Sequence, residues 1–142
     1  MPVIRGSMQD FATLDTAQAT IAAGVNFTAT SSATANVLMT LGPIETAGMQ
    51  YIVELCAPTL TKGTTNASLE LFVDGVFNQT IFSLVLANIA IPGFSWRSLV
   101  TLGVGVHTLT VRGFVDAGTG TLGAGTGATG QPPNALLLMR PA

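Results

Sequence analysis

Alternation decides what this chain can become. From residue 49 to 57, Tyr51, Val53 and Leu55 take one face, while Ile52, Glu54 and Cys56 take the other. That period of two is the mark of a half-buried strand. Leu69, Leu71 and Val73 alternate in the same way with Ser68, Glu70 and Phe72, and Asp74-Gly75 then supplies a strong hairpin signal. A partner strand is expected over 76–84. A two-residue loop would put Asn78 and Thr80 on the core face, so a three-residue loop pairing Val73 with Phe77 and Leu69 with Ile81 is expected instead. Further strands read at 37–41, 95–102, 106–115 and 135–140, with weaker ones at 11–14, 19–22 and 27–30. Only residues 15–23 have helical composition, enough for one or two turns before Gly24. Strands this short, separated by Gly, Pro and Asn, describe an all-β fold: an antiparallel β-sandwich, a jelly roll of about 8–10 strands. Parallel α/β folds are excluded.

Composition narrows the function classes. The 142 residues hold five Lys or Arg and seven Asp or Glu, a net charge of −2. Charged residues make up 8% of the chain, against about a quarter in an average soluble protein. Threonine, alanine and glycine fill the deficit, at 20, 18 and 16 copies. Five cations spread from Arg5 to Arg140 cannot line a phosphate track, so no nucleic acid partner is expected. The length suits one domain, with 37–142 as the sandwich and 1–36 as an arm or extra strands. No apolar run reaches the roughly 20 residues of a membrane helix, so no membrane partner is expected. Residues 1–8 carry one cation and no apolar run of signal-peptide length. Together with the single Cys56, they lead to an expectation of synthesis in a reducing cytoplasm, with the sequons at Asn26, Asn66 and Asn78 unmodified.

Each candidate for chemistry has a plainer structural explanation. Gly118-Thr119-Gly120-Thr121-Leu122-Gly123 has the spacing of a dinucleotide fingerprint. The chain then continues Ala124-Gly125-Thr126-Gly127, where no helix could receive a pyrophosphate, so residues 118–130 read as a Gly-rich excursion. Lys62 lacks the glycine spacing of a phosphate loop. His107, the single histidine, falls in phase with Leu109 and Val111 and reads as a rim residue; no elbow motif brings it a nucleophile. Glu54 and Glu70 could form a facing pair of glycosidase type, but cross-strand balancing by Arg97 and Arg112 accounts for them. Cys56 reads as packing and Trp96 as core. The chain is therefore expected to be no enzyme, with no catalytic residues, no cofactor and no metal.

The outward phase is the informative one. Ile52, Phe72, Leu99 and Phe114 fall in register with Glu54, Glu70, Arg97 and Arg112, which makes them the candidate interface residues. The order of motifs is also familiar. The strand at 95–102, Leu102-Gly103 and Gly105-Val106-His107-Thr108-Leu109-Thr110-Val111-Arg112 resemble a strand pair of small jelly-roll domains in bacteriophage virion proteins. Those domains are broadly similar to the sandwiches of tumour necrosis factor and complement C1q. Tyr51-Ile52-Val53-Glu54-Leu55, the Leu71-Phe72-Val73-Asp74-Gly75 hairpin and terminal Leu136-Leu137-Leu138-Met139 stand in the matching order, so the resemblance spans 37–140.

The resemblance implies a homotrimer or another oligomeric module, associated with a shell or fibre. The expected function is thus a virion structural protein of a tailed phage, a capsid decoration (cement) protein. Its partners would be itself and the major capsid protein or another virion protein, and its location the capsid surface. The alternative is a receptor- or carbohydrate-binding module of a tail or head fibre.

Overall fold

The computed structural model of the protein describes residues 16–62, 66–84, 89–123 and 135–142. Eight strands run through them: β1 Ala17–Ile21, β2 Val25–Phe27, β3 Asn36–Lys62, β4 Ala67–Val73, β5 Val76–Leu84, β6 Ile89–Val115, β7 Gly120–Gly123 and β8 Ala135–Pro141. One 3-10 turn, Ser32–Thr34, precedes β3. Every pairing is antiparallel, in the order β1-β8-β3-β6-β4-β5, with β7 bridging β2 and β3. The all-β antiparallel sandwich expected from alternation is the fold.

Two layers arise because β3 and β6 pair along their whole length and fold over together. One layer has β5, β4, the end of β6 and the start of β3. The other has the start of β6, the end of β3, β8 and β1, with β7 and β2 alongside. The strands expected at 37–41 and 49–57 are thus one strand, and so are those at 95–102 and 106–115. Between them, the turn-forming residues Gly42-Pro43 and Gly103-Val104-Gly105 do not leave the sheet; they bend it. A bulge falls between Leu41 and Ile44, where Gly42 has φ 122 and an added Cβ would stand 2.8 Å from the His107 carbonyl oxygen. Tyr51, fully buried, braces the bend by accepting a hydrogen bond from the Ala47 N–H at 3.1 Å.

Contacts across the gap hold the layers face to face. Phe82 of β5 meets Phe94 of β6 edge to face at 5.6 Å, and the Ser98 hydroxyl donates to Gln79 Oε1 at 2.8 Å. The core between them is continuous: Tyr51, Val53, Leu55, Leu69, Leu71, Leu109, Val111, Leu137 and Met139 are all inaccessible to solvent. These are the inward positions of the alternating pattern.

The β4–β5 hairpin differs from its expected register. Its loop is the two-residue Asp74-Gly75, with φ of 52 and 81, and Val73 faces Val76. Such a turn has the twist that antiparallel strands require. Two bulges then correct the phase. Asn78 and Ile81 are the extra residues, so Leu71 faces Gln79 and Leu69 faces Phe82. Bulges achieve the apolar match that the three-residue loop was expected to provide.

In the N-terminal part, the weaker strands expected at 19–22 and 27–30 correspond to β1 and β2, shifted toward the N-terminus. Among the described residues of 15–23 the one or two helical turns are not formed, because β1 pairs with β8 from Ala17↔Met139 to Ile21↔Ala135. Ala17, Ala19 and Ile21 pack against the core while Gln18 and Thr20 face out, so pairing overrides a weak helical propensity. β2 brings Phe27 to a place prepared by glycines. A Cβ on Gly120 would lie 2.2 Å from its ring, and one on Gly113 2.9 Å. Phe27 is 1% exposed as a result. The strand expected at 11–14 and residues 124–130 of the Gly-rich stretch 118–130 lie outside the described residues; within that stretch Gly120–Gly123 is strand β7.

Two substitutions test this packing. Gly120→Ala should lower stability by about 1–3 kcal/mol through overpacking against Phe27. Phe27→Ala should cost about 3–5 kcal/mol through the void it leaves. Both are measurable as shifts in the urea unfolding midpoint, and a change within error for Gly120→Ala would contradict the glycine cradle.

Candidate functional site

Period two places one set of side chains on the outer face of the β3–β6–β8 layer. Across β3 and β6, Ile52 faces Leu99, Glu54 faces Arg97 and Cys56 faces Ser95. On the other side of β3, Arg140, Leu138 and Leu136 continue the same three rows. Glu54 forms an ion pair with Arg97 and lies 3.8 Å from Nη2 of Arg140, so one carboxylate serves two guanidinium groups. With Arg97 largely exposed and Glu54 half-buried, such a surface pair is worth about 0–1 kcal/mol, which makes it more an organiser of the surface than a source of stability. Beside it is a shallow groove of about 400 Å³ lined by Glu54, Cys56, Ser95, Trp96 and Arg97. Cys56, expected as a packing residue, is exposed on this face. Trp96 follows the inward phase but is only half-buried, since the start of β6 is an edge of its layer.

The opposite outer face is built differently. Glu70 and Arg112 are register partners, yet each is engaged elsewhere. Glu70 accepts a 2.6 Å hydrogen bond from the Ser32 hydroxyl of the 3-10 turn. The Arg112 guanidinium lies over the Phe72 ring, 4.1 Å from its centroid, and Nε donates to Thr110 Oγ1 at 3.2 Å. Phe77 meets the same ring edge-on at 6.0 Å.

The four candidate interface residues therefore separate into pairs. Ile52 and Leu99 adjoin each other on one layer, Ile52 half-buried and Leu99 exposed; Phe72 and half-buried Phe114 lie on the other. Phe72 is not the exposed apolar residue that its phase suggested. Arg112, Phe77 and their neighbours leave it 6% accessible. Glu54 and Glu70 do not face each other, because β6 lies between β3 and β4 and the two carboxylates occupy outer faces of different layers.

The bend adds an apolar region that alternation did not reveal. Val104 is 83% exposed, Val76 69% and Val106 64%, and Met49 is exposed on the adjoining part of β3. Val104 and Val106 are the apolar residues of Gly103-Val104-Gly105-Val106. The available signal was their position among glycines, where a valine has few neighbours to bury it.

His107 lies at the same bend, at the rim as expected. Nδ1 is 2.7 Å from Asp74 Oδ2 and Nε2 is 3.1 Å from the Gly103 carbonyl oxygen. The hydrogen bond that the ring donates to the Asp74 carboxylate holds the imidazole pKa above its ordinary value of 6.5, and the same bond holds the Asp74 carboxyl below its usual range. Both ring nitrogens are thus committed to structural acceptors, an arrangement unlike that of a general base, which needs a nitrogen directed at a nucleophile. Among the described residues, no three His, Cys, Asp or Glu side chains gather as a metal site.

No protein-family model matches this chain, and no curated protein matches it either. Among solved structures it is similar to one titled "Native structure of a family 35 carbohydrate binding module from Clostridium thermocellum", with 12% sequence identity and a TM-score of 0.41, over 88% of this chain and 92% of that one.

Proposed function

We propose that this chain is a non-catalytic assembly module: a virion structural protein of the capsid-decoration kind that acts by burying apolar surface against copies of itself and against a shell protein. The observation that carries this reading is the exposure of Val104 and Val106 at the bend, of Val76 at the start of β5 and of Leu99 on the outer face of β6, in a chain with few charges. The resemblance of 37–140 to jelly-roll virion domains supports the partner class and a trimeric form. Its mechanism is thermodynamic. Burying about 800 Å² of apolar surface contributes about 20 kcal/mol before association entropy is subtracted, ample for a stable contact.

A second reading rests on the groove beside Glu54 and Arg97, where a half-buried indole borders a carboxylate, a guanidinium and a hydroxyl. An aromatic flanked by hydrogen-bonding groups suits a sugar ring, so this reading is carbohydrate binding.

Sedimentation velocity and binding to purified phage shells separate the two. Under the assembly reading the protein sediments as an oligomer, and Val104→Glu with Val106→Glu gives a folded monomer that no longer binds shells. A wild-type monomer that leaves shells unbound would remove it. Under the second reading, glycan-array binding falls at least tenfold in Arg97→Ala while the oligomer is unchanged.

A further inference from the structure

We propose that His107 is a pH-sensitive staple, tying the β4–β5 turn to the bend of the sandwich through two acceptors that only a doubly protonated ring can satisfy together. The argument is one of donors and acceptors. Nδ1 meets a carboxylate oxygen of Asp74 at 2.7 Å, and Nε2 meets the backbone carbonyl of Gly103 at 3.1 Å. Neither partner can donate, so a neutral imidazole, with one N–H, must leave one of the two facing a lone pair.

The β4–β6 ladder ends at Val73↔Leu109, and beyond it the turn is held to β6 by individual contacts. The turn is secured to β6 by the Asp74 N–H donating to the Thr108 carbonyl and by the Thr108 N–H donating to Asp74 Oδ1, each at 2.8 Å. Asp74 therefore uses both carboxylate oxygens on the two consecutive residues His107 and Thr108. On the far side of the ring, Gly103 O also accepts from the Thr46 hydroxyl at 2.6 Å, which links β3 into the same cluster. The ring completes a chain of contacts from β3, through the bend of β6, to the tip of the hairpin.

Among the described residues Asp74 is the charged group in contact with the ring. On β3, the residue paired with His107 is Ile44, and the neighbouring carboxylate, Glu45, pairs with Val106 and so belongs to the other face. Among the described residues the remainder of the packing around the ring is uncharged. The direction of coupling follows. A histidine held above its unfolded value contributes stability that is fully present below 6.5 and is lost as pH rises through the folded value. The staple is closed in acid and half open in base.

The segment it tethers carries Val104 and Val106, and the turn leads directly into Val76. Protonation of one ring thus sets how firmly the apolar end is presented; this consequence alone rests on the assembly reading. The staple itself does not.

His107 is the single histidine of the chain, so its imidazole C–H resonances can be followed without ambiguity. In an NMR titration of the full chain the midpoint should lie above 6.5, and Asp74→Asn, which keeps a residue suited to the turn, should bring it down. Exchange of the Asp74 and Thr108 amide protons, corrected for intrinsic rate, should become faster above that midpoint in the wild type. In His107→Gln it should show no such step. A wild-type midpoint at or below 6.5, or one that Asp74→Asn leaves unmoved, would overturn the proposal. So would amide protection that ignores the titration. A monomeric protein that nevertheless passes these tests would sink the assembly reading and leave the staple intact.

Discussion

Two 27-residue strands pair along nearly their whole length, and every other element takes its position from them. A paired ladder this long cannot remain flat, since each strand is twisted and one face is largely apolar. It folds over at the bend, and its two halves become the centres of opposite layers. β4 can then dock on the end of β6, β8 and β7 on the end of β3, and β5 and β1 on those. Because side chains alternate along a strand, folding the ladder turns one apolar face into both walls of the core. The bend decides which residues are inside as much as the alternation does.

Alternation is local, and what it predicts directly is orientation within a strand. Tyr51, Val53, Leu55, Leu69 and Leu71 are where their phase puts them, and β8 is close to its expected bounds. What the sequence concealed were events in which a local signal had two physical outcomes. Gly42-Pro43 and Gly103-Val104-Gly105 are turn-forming residues, and a bulged bend within paired strands uses the same backbone freedom as a loop. In the hairpin, register follows the apolar face, but bulges and an extra loop residue satisfy that rule equally well. Phe72 has an outward phase and is nevertheless covered, because its cover comes from Arg112 on β6 and Phe77 on β5. For His107, the rim position was legible in the phase, whereas its carboxylate partner, 33 residues earlier in the chain, was not.

The charges of the described residues are largely spent on structure. Glu54 binds Arg97 and Arg140, Glu70 is tied to the 3-10 turn, Arg112 covers Phe72, Asp74 holds His107 and Asp116 accepts from Asn66. Each has a local task that positions a turn, a ring or a strand end. Beside the valines of the bend, Glu45, the register partner of Val106, is the exposed carboxylate that remains. Scarcity of charge thus bears on function through placement: the few ionised groups anchor the fold, and the surface between them is left to threonine and to apolar side chains.

The cradle of Phe27 has a consequence for which sequences can share this fold. Positions 27, 113 and 120 are far apart along the chain, yet they form one steric unit in which the ring occupies the volume that two missing side chains leave. Shrinking the ring opens a void that glycine cannot fill, and enlarging either glycine expels the ring. Substitutions at these positions are therefore not independent in their energies. A smaller residue at 27 becomes acceptable only alongside a larger one at 113 or 120. Any divergent version of this chain must solve the three together, so a change at one of them restricts what the other two can become.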